Sequence, residues 1–396
     1  MKTRFLAASA SALAAAALFF GGLCSPAQAA DPYEIHVILS LSGPGAFLGN
    51  GERQALQFAE SATNASGGIQ GHKLTFVYHD DQTNPQVAVQ LANDVLATKP
   101  AVILGSSLVA TCRAMMPLMQ NGPLMYCFSP GIHPDEGSYV FTASVSTFDL
   151  ADSVIRYFRM KGWKRFGVIF STDASGQDAE KGIDALLQKP ENTEIQVVAR
   201  EHFNTTDVSV SAQIEKIKAA NPQAIIAWST GAPIATIFRA MQQAGLDIPI
   251  ATTDGNMTYA QMTQYKDFLP KQLFIPAAQW VVRDQTLLPA PVAAKNQVFY
   301  KAFEDGGAQP DIASELGWEP ANIVIDALKK LGTNATATQL RDFIAKQQGI
   351  AGVNGIYDFV ATPQRGLDVS DTVVTHWAPA KNIWEVVSKP TGLLLN

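Results

Sequence analysis

The sequence is poor in charge. Only 16% of its 396 residues are Asp, Glu, Lys or Arg, and no block of Lys or Arg occurs. That excludes the charge-rich, core-poor composition of a disordered chain and the basic stripe of a nucleic-acid binder. The formal net charge of −6 also points away from polyanions. Three cysteines are too few for a disulfide-built scaffold. Beyond residue 30 no stretch reaches the ~18 uninterrupted apolar residues of a membrane helix. Catalytic signatures are missing too: there is no G-x-x-x-x-G-K-[ST], no G-x-S-x-G and no H-E-x-x-H. Gly43–Gly49 approaches a dinucleotide fingerprint, but its third glycine falls one residue late. Its first acidic candidates, Asp80 and Asp81, lie well beyond the ~20 residues such a site uses. His79-Asp80-Asp81 runs along a strand, so neighbours point to opposite faces, and His133-Pro134-Asp135-Glu136 reads as a charged turn. No enzyme activity, cofactor or metal site is expected.

What is present is apolar residue, 47% of the chain, at a length that suits two domains of about 100–200 residues each. The first 29 residues read as an export signal. Lys2 and Arg4 form the positive start, Phe5 to Leu23 the apolar run, and Ala27-Gln28-Ala29 the cleavage site. Leu23 precedes Cys24 where lipidation needs a small residue, so no lipid anchor is expected. The mature chain, from residue 30, is read as exported and soluble. In the oxidising setting that export brings, Cys112, after a predicted strand-to-helix turn, and Cys127, near the end of the next strand, form either a disulfide or two buried thiols.

Strand and helix patterns alternate through the mature chain. Tyr33–Leu41, Lys73–His79, Ala101–Leu104 and Leu124–Phe128 read as strands. Helices fall over Asn50–Asn64, Pro85–Thr98 and Val109–Gln120. A second series runs from a helix at Leu150–Lys161 to strands at Ile248–Thr252 and Gln272–Ile275. Such alternation means βαβ units and parallel sheets, so the fold class is α/β with two doubly wound parallel-sheet lobes. Helices at Ala293–Glu304, Ala321–Lys330 and Ala337–Gln347 and short strands after them return to complete both lobes. Lobe 1 is placed at 30–146 with 278–351, and lobe 2 at 147–277 with 352–396.

In open parallel sheets ligands sit beyond the carboxyl ends of the strands, against helix N-termini. The residues there are Ser42, Phe47 and Leu48; Ser106, Ser107 and Thr111; and Ser129, Gly131 and Ile132. The second series offers Ser175, Ser229, Thr230 and Asp254. Hydroxyls and free N–H groups at helix starts suit a carboxylate, although ordinary N-capping favours the same residues. Asp254 suits an ammonium or hydroxyl group; its competing role is to cap a helix over Met257–Gln264. Trp280 and Trp318, near expected lobe crossings, are read as an apolar wall or as core packing.

Several segments carry a resemblance. Ile38-Leu39-Ser40-Leu41-Ser42-Gly43-Pro44 with Phe47-Leu48-Gly49, Asn64-Ala65-Ser66-Gly67-Gly68-Ile69, His79–Pro85, Val102–Gly105 and Phe128–Gly131 occur in an order that resembles the leucine/isoleucine/valine-binding protein family. These are type I solute receptors of ABC importers. The resemblance implies two lobes joined by three crossovers, hinge closure on a ligand, an ABC permease as partner, a monomeric receptor and no catalysis. By position it implies ligand contacts from Phe47, Leu48, Ser106–Thr111 and Ser129–Ile132, with Asp254 as the acid for an ammonium group. Three departures stand out. Val109 falls near the family's carboxylate-binding serine, the Pro130–His133 loop is short, and Ser175 replaces an aromatic. They leave an amino acid, an aromatic acid, and an amide or urea all open as ligand, and a ligand-sensing subunit open as role.

Overall fold

The computed structural model describes residues 31–395, so the expected export signal lies outside the described residues. The chain opens with β1 (Tyr33–Leu39), α1 (Ala46–Ala65), β2 (Leu74–Asp80), α2 (Pro85–Leu96), β3 (Val102–Gly105), α3 (Val109–Met115), β4 (Leu124–Cys127) and β5 (Val140–Thr142). Residues Val102–Gly105 and Leu124–Cys127 are buried throughout, as strands are when helices cover both sheet faces. Asn84 accepts from the N–H groups of Gln86 and Val87, and Pro85 opens α2, which joins a polar cap to the fixed φ of proline. These strands form one parallel sheet in the order β2-β1-β3-β4-β5.

The second lobe repeats the plan. It contains α4 (Thr147–Met160), β6 (Arg165–Ser171), α5 (Ala174–Leu187), β7 (Gln196–Phe203), α6 (Ser211–Ala219), β8 (Ala224–Trp228), α7 (Ile234–Gln243), β9 (Ile250–Ala251), α8 (Tyr259–Gln264) and β10 (Leu273–Ala278). The order β7-β6-β8-β9-β10 is again parallel. Three helices then return to the first lobe: α9 (Ala290–Asp305), α10 (Ile312–Leu331) and α11 (Ala337–Ile344). A hairpin of β11 (Gln348–Ala351) and β12 (Ile356–Asp358) follows, and β13 (Thr372–Ala378) with β14 (Ile383–Val386) extends the second sheet antiparallel to β10. The lobes are thus joined after β5, after β10 and after β12.

Three details depart from the sequence reading. The boundary expected at 351 falls inside the hairpin, whose strands pair with each other and whose Phe359 packs edge-on to Phe141 of the first sheet. Helix α10 starts at Ile312 rather than Ala321 and runs through Pro320. Asp311 closes a capping box with Ser314 at its start, and its buried first turns hold it against α1 despite the missing N–H. Strands β5 and β11 were not anticipated; each has at most four residues, too few for a periodic signal.

The lobes touch along both lips of the cleft. Ala232 N–H donates to the Pro44 carbonyl at 3.4 Å, Ile312 N–H to Met257 at 3.2 Å, and Tyr259 N–H to Asp311 Oδ2 at 3.3 Å. Phe47 meets Tyr265 edge-on with ring centroids 6.2 Å apart. At the other end Asp178 Oδ1 of α5 accepts from Arg113 of α3 and His133, both at 2.9 Å. Among the described residues no helix is long and apolar enough to cross a membrane.

Candidate ligand cleft

Both sheets reverse their strand order once, between β1 and β3 and between β6 and β8. A crevice opens at such a switch point, and the two crevices face each other. On the first lobe the hydroxyls expected to meet ligand are mostly engaged. Ser106 Oγ donates to Asp81 and accepts from Ser107 N–H at 2.6 Å and Thr111 Oγ1 at 2.8 Å. Ser107 Oγ donates to Glu52 and accepts from Ser40 N–H at 3.2 Å. These three side chains knit β3 to β1, β2 and α1, and each hydroxyl proton among them is already engaged within the protein.

Ser129 is different. Its N–H donates to Cys127 Sγ at the end of β4 and its carbonyl accepts from Thr142 Oγ1 of β5, while its hydroxyl makes no hydrogen bond among the described residues. Beside it Gly131 lies on the seam: a Cβ there would stand 2.6 Å from Val109 Cγ2 and 3.2 Å from Thr147 Oγ1 of the other lobe. On the second lobe Ser175 and Thr230 bond to each other at 2.9 Å across the β6 and β8 ends. Ser229 Oγ is buried with no partner among the described residues.

Asp254 is buried where β9 ends. Its Oδ1 accepts from Thr253 Oγ1 at 2.9 Å and Gly255 N–H at 2.8 Å, whereas Oδ2 has no partner among the described residues. Burial pushes this carboxyl up to about 6 against those two bonds. The capping role falls to other residues: Thr253 caps the short turn Asp254–Asn256, and Thr258 caps α8.

Four expected residues sit elsewhere. Ser42 Oγ donates to Asp80 at 2.7 Å on the exposed lip. Leu48 is buried in the main core, and Ile132 in the separate cluster containing Cys112, Met115 and Cys127. Trp318 packs edge-on to Phe299 and Phe303 between α9 and α10, which is the core alternative. Cys112 and Cys127 are joined by a disulfide, with Cα atoms 6.1 Å apart, tying α3 to β4 beneath the Ser129 loop.

The sequence reading missed a buried polar group on the first lobe. Glu52 of α1 and Glu315 of α10 are fully buried, and each keeps one oxygen without a partner among the described residues. Glu52 Oε2 is held by Ser107, and Glu315 Oε1 by Asn354 Nδ2. Burial pushes Glu52 up to about 8 and Glu315 well above the usual range, and Glu315 is raised further by Asp254, Glu319 and Glu52. Arg365 is the buried cation here. Its guanidinium donates to the carbonyls of Ile132 (2.7 Å), Pro130 (3.0 Å), Ser144 (3.1 Å) and Ala143 (3.4 Å), strapping the β4 loop to the first crossover. Glu52 carries a legible signal, an acid among the small residues of an amphipathic helix. Glu315 lies before Pro320, outside the expected helix, and Arg365 falls in an irregular stretch. The lip itself holds an open groove of about 690 Å³ bordered by Pro44, Phe47, Arg53, Ala232 and Asp311.

Two doubly wound lobes, crossed three times by the chain and closed over buried polar strand ends, define the type I class of periplasmic binding proteins. The chain belongs to the periplasmic binding protein family: the model described as "Periplasmic binding protein" matches residues 32–377. It falls with the leucine/isoleucine/valine-binding group. It is 24% identical over 244 residues to the leucine-, isoleucine-, valine-, threonine- and alanine-binding protein of Pseudomonas aeruginosa, covering 61% of this chain and 65% of that one. It is 26% identical to a Leu/Ile/Val-binding protein homolog of Brucella melitensis, over 56% of this chain and 61% of the relative. The matched segments thus span less than two thirds of these two relatives. A type 1 periplasmic binding protein from Bordetella pertussis superposes with a TM-score of 0.77 at 22% identity, over 90% of this chain and 99% of that one. A branched-chain amino acid transporter substrate-binding protein from Streptococcus pneumoniae, in complex with isoleucine, gives 0.76 at 18% identity over 90% and 99%. A Rhodopseudomonas palustris solute-binding protein in complex with benzoate gives 0.76 at 18% over 92% and 97%.

Proposed function

We propose that the chain is the periplasmic receptor of an ABC importer of the branched-chain-amino-acid type, and that it closes its lobes around one amino acid. The observation that carries this reading is the buried Asp254 carboxylate with an unpartnered Oδ2. A buried carboxylate oxygen without a donor is costly, and the α-ammonium of an amino acid supplies both the N–H and the charge. The unpaired hydroxyls of Ser129 and Ser229, one from each lobe, are the donors for its carboxylate. An aromatic acid would leave Asp254 unpaired, and an amide or urea would bring N–H groups without the charge. The Pseudomonas relative, named for binding five amino acids, supports the same class.

In this reading residues 1–29 direct export and are removed after Ala29. The monomeric receptor closes by rotation about the three crossovers and presents its closed face to the permease. The lip contacts of Pro44 with Ala232 and of Phe47 with Tyr265 seal the ligand from water. Asp254→Asn tests the reading by calorimetry, because it keeps shape and removes the charge. An affinity loss of tenfold or more is expected, and unchanged affinity for an amino acid would remove Asp254 from the site.

A further inference from the structure

An α-ammonium on Asp254 satisfies one buried acceptor, but three more border the same region. Glu52 Oε1, Glu315 Oε2 and Asn354 Oδ1 are all buried and have no hydrogen-bond partner among the described residues. The helices that carry the two acids, α1 and α10, pack closely: a Cβ on Gly317 would stand 2.7 Å from the Glu52 carbonyl and 3.1 Å from Ala55 Cβ. Glu315 occupies the first turn of α10 and faces the Asp254 turn, and its carboxyl feels the charges of both Asp254 and Glu52. Ser107 fixes one oxygen of Glu52 and Asn354 one oxygen of Glu315, so the free oxygens are positioned. Asn354, whose Nδ2 holds Glu315, keeps its own Oδ1 buried and without a partner among the described residues as a further acceptor.

Positive charge is what the set lacks. Arg365, the cation near Asp254, spends its guanidinium on four carbonyls. No Lys, Arg or His among the described residues is ion-paired with Glu52, Glu315 or Asp254. The carboxylates are not spaced for a metal either, since no group of three His, Cys, Asp or Glu among the described residues is placed to hold one. Buried acceptors without donors are relieved by a compact cation carrying several N–H donors, whose charge also draws the raised carboxyls of Glu52 and Glu315 into their ionised form.

We infer that the cleft is selective for a basic amino acid, with Glu315, Glu52 and Asn354 forming the subsite for the cationic end of its side chain. This rests on the receptor reading above. A guanidinium and a primary ammonium share the required chemistry, and a guanidinium offers the larger fork of donors.

Calorimetry on residues 30–396 with L-arginine, L-lysine, L-norleucine, L-leucine and benzoate tests it. One of the two basic amino acids is expected to bind at least tenfold more tightly than norleucine, which has similar length and no side-chain charge. The stronger of arginine and lysine identifies the cation. In Glu315→Gln, and independently in Glu52→Gln, that preference is expected to shrink toward unity; far-ultraviolet circular dichroism reports whether each variant is folded. Norleucine or leucine binding as tightly as both basic amino acids overturns the inference and keeps the receptor. So does a preference that survives in both folded variants. Benzoate binding alone overturns the inference and the amino-acid reading together, and silence across the panel overturns the receptor reading as well.

Discussion

Glu52 shows how one side chain links stability to acidity. Its carboxyl is pushed from 4.5 to about 8, first by burial, against the hydrogen bond from Ser107, and then by the charges of Asp81 and Asp311. The folded state therefore holds its proton more tightly than the unfolded chain. That stabilisation is complete below about pH 4.5 and is lost as pH rises through about 8. The ligand-free protein is expected to melt at a lower temperature at pH 8 than at pH 5, and Glu52→Gln to remove part of that slope, the rest coming from other buried acids held above their usual range, Glu315 and Glu319 among them. A melting temperature that rises over the interval would contradict the assignment. The residue scale is also where sequence reasoning reached least far. Asp254 could be singled out because it follows a strand in an alternating series. The fate of Ser106, Ser107 and Thr111 could not, since it depends on partners 25 and 55 residues away, Asp81 and Glu52.

At the scale of elements, strands buried on both faces and helices with one apolar stripe were legible because their periodicity is local. What was not legible depends on tertiary contact: α10 continues through Pro320 because α1 packs along it. The contact is tight enough to predict a cost. Gly317→Val would drive side-chain atoms into the Glu52 carbonyl and Ala55. A loss of about 1–3 kcal/mol is expected, read as a lower urea midpoint; an unchanged midpoint would mean that the helices can separate freely. The Cys112–Cys127 bridge closes a loop with a sequence separation of 15, which constrains the unfolded chain by about 3 kcal/mol. Reduction is expected to lower the melting temperature by several degrees, and an identical melt with and without reductant would contradict it.

For the whole molecule the question is what holds the lobes together. Asp178 is 3% exposed and takes hydrogen bonds from Arg113 and His133 of the other lobe. Removing Arg113 leaves a buried carboxylate with one weaker partner, which disfavours closure without touching the ligand. Arg113→Ala is expected to speed ligand release several-fold in stopped-flow measurements, and an unchanged release rate would mean that this contact does not stabilise the closed form. The repeated strand order of the two sheets and the three crossings put every part of this arrangement at the strand ends, where a ligand would join the lobes. The most direct test is a calorimetric titration of residues 30–396 with the common amino acids. The account predicts saturable binding of one amino acid per chain with a negative heat-capacity change, as water leaves a closing cleft. No heat from any amino acid would contradict it.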